Sequence, residues 1–187
     1  MIALKIPHET ARLLGSIDVP GTKTPLDQMH VTLLYLGEEV PIQQIAKAVV
    51  AAYRVTSCRT PFNVKTSKVK CFPVEAGAAA PIIAPVISNE LQEFHNDLKK
   101  AFDKLGVVYS KKFPEYKPHV TLAYAEKPIK CVTLDAAIQW AAHEATLYGG
   151  DFGDDRLTTV FPFVLKPTKA GFYSSVVKPA KRLGNTK

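Results

Sequence analysis

The sequence predicts an α+β fold built from two similar halves, with β-sheets forming a central cleft and helices outside. The first observation behind this is a repeated tetrapeptide. His-Val-Thr-Leu occurs at His30 to Leu33 and again at His119 to Leu122, each time followed by a Tyr at the same offset, Tyr35 and Tyr124. The two copies stand 119 − 30 = 89 residues apart in a chain of 187. A period of half a domain fits two related halves that each donate one histidine, not a solenoid of short units. The second observation is that strand-like and helix-like periodicities recur in the same order ahead of each motif. Two antiparallel or mixed sheets forming a cradle are expected; a single continuous sheet is the alternative.

Each element has a local reason. MIALKIP reads as an opening strand ended by Pro7, and a short helical turn from Glu9 to Leu14 is stopped by Gly15. The turn-rich DVPGTKTPLDQ (18 to 28) leads into the first motif strand. From Pro41, suited to a first helical position, Ile42, Ile45, Val49 and Tyr53 recur at helical spacing and mark a core-facing helix. PFNVKTSKVKCF (61 to 72) partly alternates as a strand, PVEAGAAAP (73 to 81) is a loop, and PIIAPVIS (81 to 88) is a short apolar strand. Asn89 with Gln92 resembles a capping box, opening a helix whose apolar stripe is Leu91, Phe94, Leu98, Phe102 and Leu105 and whose end is Gly106. A short helix is expected from Thr133 to Ala137, and a strand at Leu147 and Tyr148 before Gly-Gly. The closing runs LTTVFPFVLKP (157 to 167) and GFYSSVVKP (171 to 179) read as an antiparallel pair turning around Thr168 to Gly171.

In a strand alternate side chains share a face. Val31, Leu33 and Tyr35 are therefore expected on the buried side of the first motif strand, with Val120, Leu122 and Tyr124 on that of the second. His30 and Thr32, and His119 and Thr121, face the cleft. The small Ala123 and Ala125 would leave room for a ligand beside the second pair, while Leu34 and Leu36 would narrow the first. Two such pairs have a chemical logic. Imidazole titrates near neutrality, so one of two facing histidines can take a proton while the other gives one. A Thr two residues on can donate to a non-bridging phosphate oxygen. A single His-x-Thr in a strand is ordinarily a half-exposed surface pair; the doubling carries the inference. By the same parity Gln28 and Lys117 join the cleft as substrate-binding candidates, Lys117 as a cation beside a phosphodiester, although Pro118 threatens the strand there. Phe72, Tyr109, Phe113 and Tyr116 are candidates for stacking on a base.

The remaining composition narrows the classes. A formal charge of +7 and a pI near 9.3 favour an anionic partner. Part of that charge lies in KPAKRLGNTK (178 to 187), expected to be a basic, flexible tail to a single bilobal domain at 1–177. Cys58, Cys71 and Cys131 are too few and too scattered for a disulfide framework or zinc site. His95, on the apolar stripe of its helix, is expected to be structural; His8 and His143 are expected at the surface; DFGDD (151 to 155) reads as a solvated loop. No metal and no cofactor are expected. MIALKIP is too short for a signal peptide or membrane span, so a cytoplasmic monomer is expected, without membrane association. No GxxxxGK[ST] motif supports ATP-driven ligation.

On these residues the chain resembles the two-histidine phosphoesterase superfamily, in which a doubled HxT is followed by an aromatic residue and, in the first copy here, by Leu36-Gly37. That superfamily includes bacterial RNA 2′,5′-ligase-like proteins, 2′,3′-cyclic nucleotide phosphodiesterases and phage enzymes that degrade immune cyclic oligonucleotides. LYGGDFGDDRL (147 to 157) is similar to phage-encoded members. The resemblance implies a bilobal fold, a nucleotide or oligonucleotide substrate, His30 and His119 as catalytic acid and base, and Thr32 and Thr121 as phosphate-holding hydroxyls. The implied reaction is phosphodiester cleavage assisted by a 2′-hydroxyl or water. The rival reading is a module that captures RNA ends or cyclic nucleotides without turnover; two matched titrating groups weigh against it, because binding a phosphate needs donors only.

Overall fold

The computed structural model describes residues 1–75, 77–112, 115–150 and 156–166. In chain order the elements are β1 (Ile2–Lys5), α1 (His8–Gly15), β2 (Thr22–Lys23), a 3-10 turn (Leu26–Gln28), β3 (His30–Leu34), α2 (Ile42–Thr56), β4 (Phe62–Cys71), β5 (Ala80–Pro85), α3 (Asn89–Leu105), β6 (His119–Ala125), β7 (Val132–Ala142), β8 (Glu144–Gly150) and β9 (Leu157–Val164). They form two separate sheets, one ordered β3-β1-β8-β9 and the other β2-β6-β5-β4-β7. Every pairing is antiparallel. The motif strands β3 and β6 thus belong to different sheets, and the sheets approach each other along these two strands. Phe113, the DFGDD segment, the turn and second strand expected over 168–179 and the tail 178–187 fall outside the described residues.

Both motif strands share an irregularity that alternation cannot reveal. Opposite β3, Ala3 faces Thr32 but Ile2 faces Leu34, so Leu33 is an extra residue. Opposite β6, Ile83 faces Thr121 but Ile82 faces Ala123, so Leu122 is extra. The last residue of each His-Val-Thr-Leu is therefore a β-bulge, and a bulge reverses which face the following residues use. Tyr35 and Tyr124 are consequently exposed (45% and 51%), whereas Leu34, Leu36, Ala123 and Ala125 are buried. The burial expected for the two tyrosines is thereby corrected.

Two helical details differ from expectation as well. In α2 the fully buried apolar side chains are Ala48, Ala51 and Ala52, while Ile42 and Tyr53 are largely exposed and Ile45 and Val49 only flank the core. α2 packs against α3, and alanines allow close backbone approach where larger residues would hold the helix off. α3 is capped by Ser88, whose Oγ accepts from the Leu91 amide, rather than by Asn89; its end at Gly106 is left-handed as expected, with φ 63°. Leu91, Phe94, Leu98 and Phe102 are fully buried.

Thr133 to Ala137 is strand, not helix. β7 pairs with β4 on both sides of a wide bulge in which Ser67 alone faces Leu134 to Ala137. Five residues form too little helix to outweigh a ladder anchored at both ends, and the ladder places Leu134 against the core. One glycine is dictated by close approach. Gly21 has φ 92°, and a Cβ there would lie 2.2 Å from the Tyr124 carbonyl oxygen. That contact lets Thr22 and Lys23 pair with Tyr124 and Ala123 as the outermost described strand beside the second motif.

Candidate active site

His30 and Thr32 on β3, and His119 and Thr121 on β6, line a single cavity of about 980 Å³ together with Gln28, Tyr124, Arg156 and Leu157. Each histidine opens its strand, and each is held the same way. His30 Nδ1 lies 2.7 Å from the carbonyl of Gln28 and His119 Nδ1 lies 2.7 Å from the carbonyl of Lys117. A carbonyl can only accept, so Nδ1 carries the hydrogen in both rings. Nε2 is left with its lone pair when the ring is neutral and becomes a donor when it is charged. The two residues at the His−2 positions therefore contribute through their backbone.

Their side chains go elsewhere. The Gln28 amide accepts from the Leu157 backbone NH at 2.7 Å and donates to the Leu157 carbonyl at 3.4 Å, tying the turn before β3 to the start of β9. Arg156 reinforces this tie at 2.6 Å from Asp27, and its hydrogen bond holds the Asp27 carboxyl below the usual carboxylate range. Lys117 precedes β6, as Pro118 dictates, and its ammonium lies 2.9 Å from Glu115 at the rim of a neighbouring chamber. Sequence reasoning did not find the Asp27–Arg156 pair. No local pattern links residues 129 apart.

Burial lowers the pKa of His30; the hydrogen bond to Gln28 opposes this, and the facing charge of His119 lowers it further. His119 is lowered by burial, with its Lys117 bond opposing. His30 and His119 line the same cavity from strands of different sheets, so the charge of one bears on the other across the cleft. Tyr148 stands beside His30 with ring centroids 6.1 Å apart, and Phe72 meets His119 edge-on at 4.7 Å.

A second chamber of about 560 Å³ shares Thr32 and His119 with the first. Its remaining lining is largely apolar and aromatic, including Leu34, Tyr35, Phe72, Val74 and Tyr116. Of the aromatics proposed for stacking, Phe72 and Tyr116 reach this chamber, while Tyr109 packs on Phe102 and bonds to Asp103. His95 also lines it, but in a structural capacity. Among the described strands β3 lies at the edge of its sheet, and its bulge leaves the Thr32 and Leu33 carbonyls in want of donors. Tyr116 donates to the first at 3.1 Å and His95 Nδ1 to the second at 2.8 Å, with the two rings stacked at 3.9 Å and 1°. Tyr116 has its pKa raised by burial, so it remains a donor. Among the described residues no three His, Cys, Asp or Glu side chains are grouped so as to hold a metal ion.

This arrangement of paired HxT strands can be set beside known proteins. A sequence model of the 2′-5′ RNA ligase superfamily matches residues 15–153, which includes both motifs. The chain belongs to this superfamily. Solved structures related to it in fold include TT0787 of Thermus thermophilus, with TM-score 0.73 at 20% identity over 89% of this chain and 97% of that one. A protein described as a phosphoesterase gives 0.69 at 20% identity over 88% and 96%. Escherichia coli LigT complexed with 3′-AMP gives 0.67 at 19% identity over 88% and 95%. No curated protein matches the sequence. As a 2′-5′ RNA ligase superfamily member the chain has the expected α+β architecture, with its two motif strands in separate antiparallel sheets. No helix among the described residues is long and apolar enough to cross a membrane.

Proposed function

We propose that the cleft is a metal-independent phosphodiesterase site for RNA-type nucleotides, with His30 and His119 as general acid and base. The observation that carries this reading is the matched pair of Nδ1-anchored imidazoles facing one cavity, each with a threonine two residues on. With a 2′,3′-cyclic phosphate, the neutral imidazole takes a proton from water as its oxygen attacks phosphorus. The charged imidazole gives a proton to the ribose oxygen as its bond to phosphorus breaks. The product is a nucleoside monophosphate, and the two rings have exchanged protonation states. In a strand with a neighbouring 2′-hydroxyl, that hydroxyl replaces water and the products are a cyclic phosphate and a free hydroxyl end. Thr32 and Thr121 donate to the non-bridging oxygens. The apolar chamber beyond Thr32 and His119 takes the base, with Phe72 and Tyr116 on its wall. The relative LigT, crystallised with 3′-AMP and with ATP, supports a nucleotide ligand.

Incubation in EDTA with 2′,3′-cyclic nucleotides, 2′,5′-linked oligoadenylates and cyclic di- and trinucleotides tests the reading. Phosphodiester cleavage of at least one class without added metal is expected; no product from any of them, or cleavage only after a divalent cation is restored, overturns it. Thr32→Val and Thr121→Val should each lower kcat/KM about 10- to 100-fold, since a hydrogen bond to a charged oxygen contributes about 1.5–3 kcal/mol. Unchanged kinetics would mean that the hydroxyls do not touch the phosphate.

A further inference from the structure

The face of the second sheet that carries His119 and Thr121 does not end at the cleft. Thr121 lies opposite Ile83 on β5, and Ile83 lies opposite Lys70 on β4. Directly opposed residues in an antiparallel ladder share a face, and strands are about 4.8 Å apart, so the Lys70 backbone is about 10 Å from that of Thr121 on the same surface. Phe72 supports this orientation, because it is two residues on from Lys70 and its ring meets His119. Lys68 follows by alternation. Past the bulge at Ser67, Lys65 forms an isolated antiparallel bridge with Ile87, two residues after the end of β5 and four after Ile83. All three lysines are exposed.

Their surroundings leave this charge uncompensated. Lys65 faces Gln139 and Lys68 faces Thr133 on β7, and Ile83 is beside Lys70. The carboxylate carried by this part of the ladder is Asp135, within the β7 bulge opposite Ser67. Among the described residues, no carboxylate lies within 4 Å of the ammonium of Lys65, Lys68 or Lys70, although other lysines, Lys5, Lys100 and Lys117, are so paired. Three like charges in one row repel one another, and a row of phosphates relieves that repulsion.

We propose that Lys70, Lys68 and Lys65 form a track for the phosphate backbone of a single-stranded RNA whose scissile diester sits between His30 and His119. This rests on the proposed phosphodiesterase reading and narrows it: the preferred substrate is a strand several nucleotides long, over a mononucleotide or a compact cyclic dinucleotide. Cavity shape favours a single strand over a duplex, because the base beside the scissile phosphate must leave any pairing to occupy the apolar chamber.

The test is the triple variant Lys65→Gln, Lys68→Gln, Lys70→Gln, with its melting temperature measured as a control for folding. Its kcat/KM is compared with that of the unaltered chain on an RNA of about ten nucleotides ending in a 2′,3′-cyclic phosphate and on a 2′,3′-cyclic mononucleotide. Each phosphate neutralised on a single strand contributes a slope of about −0.7 in log affinity against log salt, so three predict about a 20-fold loss in oligonucleotide affinity between about 50 and 200 mM salt. The unaltered chain should prefer the oligonucleotide and show this dependence. The variant should lose both while its mononucleotide turnover stays the same. Equal rates on both substrates in the unaltered chain, or a variant that retains the salt slope, overturns the track. Binding of a fluorescent oligonucleotide, read by anisotropy, keeps the two readings apart. Weaker binding by the variant in the absence of any turnover removes the phosphodiesterase reading and leaves the track, whereas equal binding removes the track whatever the turnover.

Discussion

His30→Ala and His119→Ala are each expected to lower kcat on a responsive cyclic or linear phosphodiester by about 10²- to 10⁴-fold, the usual contribution of a positioned general acid or base. The double variant should be little worse than the more damaged single one. Once either ring is gone the proton can no longer be taken on one side of phosphorus and returned on the other, so the second ring has nothing left to complete. Folding should survive. Each ring is only partly buried at the start of its strand, and each gives up one side-chain hydrogen bond to a backbone carbonyl, a loss of about 1 kcal/mol. Steady-state kinetics with a thermal melt on each variant separates the two effects. Full activity in either single variant would remove that histidine from the chemistry, and additive losses in the double variant would mean that the two do not act as a unit.

How much of this site was legible in the chain depends on how far local rules reach. Alternation places His30, Val31, Thr32 and Leu33 correctly, and likewise their counterparts from His119 to Leu122, because four residues of strand need only period two. It fails one step later at Tyr35 and Tyr124, since a bulge is a property of pairing and the partner strands Ile2–Lys5 and Ala80–Pro85 cannot be aligned from periodicity. Gln28 and Lys117 stand out for their position, yet their carbonyls hold the histidines, a contribution that any residue type could make. The Asp27–Arg156 tie and the His95–Tyr116 stack join residues far apart in the chain and leave no local pattern. In α2 the large residues at helical spacing mark the wrong face because contact with α3 selects small side chains.

The pH profile follows from the environments of the two rings. The active form of the pair carries one proton, so kcat/KM, which reports the free enzyme, should rise and fall about tenfold per pH unit on its outer limbs, the two limits belonging to the pair rather than to either residue. Burial lowers both histidines, and the facing charge of His119 lowers His30 further. The singly protonated window therefore lies below the ordinary histidine range near 6.5, and kcat/KM should be declining as pH rises through neutrality. A bound phosphodiester is anionic and does not itself titrate near neutrality. Its charge favours the protonated rings and moves both limits upward in the complex. The optimum of kcat should accordingly lie at higher pH than that of kcat/KM, in EDTA as in its absence. Rates measured across pH at low and at saturating substrate would show the displacement. A monotonic profile, or a kcat optimum on the acid side of the kcat/KM optimum, is incompatible with two partly buried imidazoles exchanging protons across a bound phosphate.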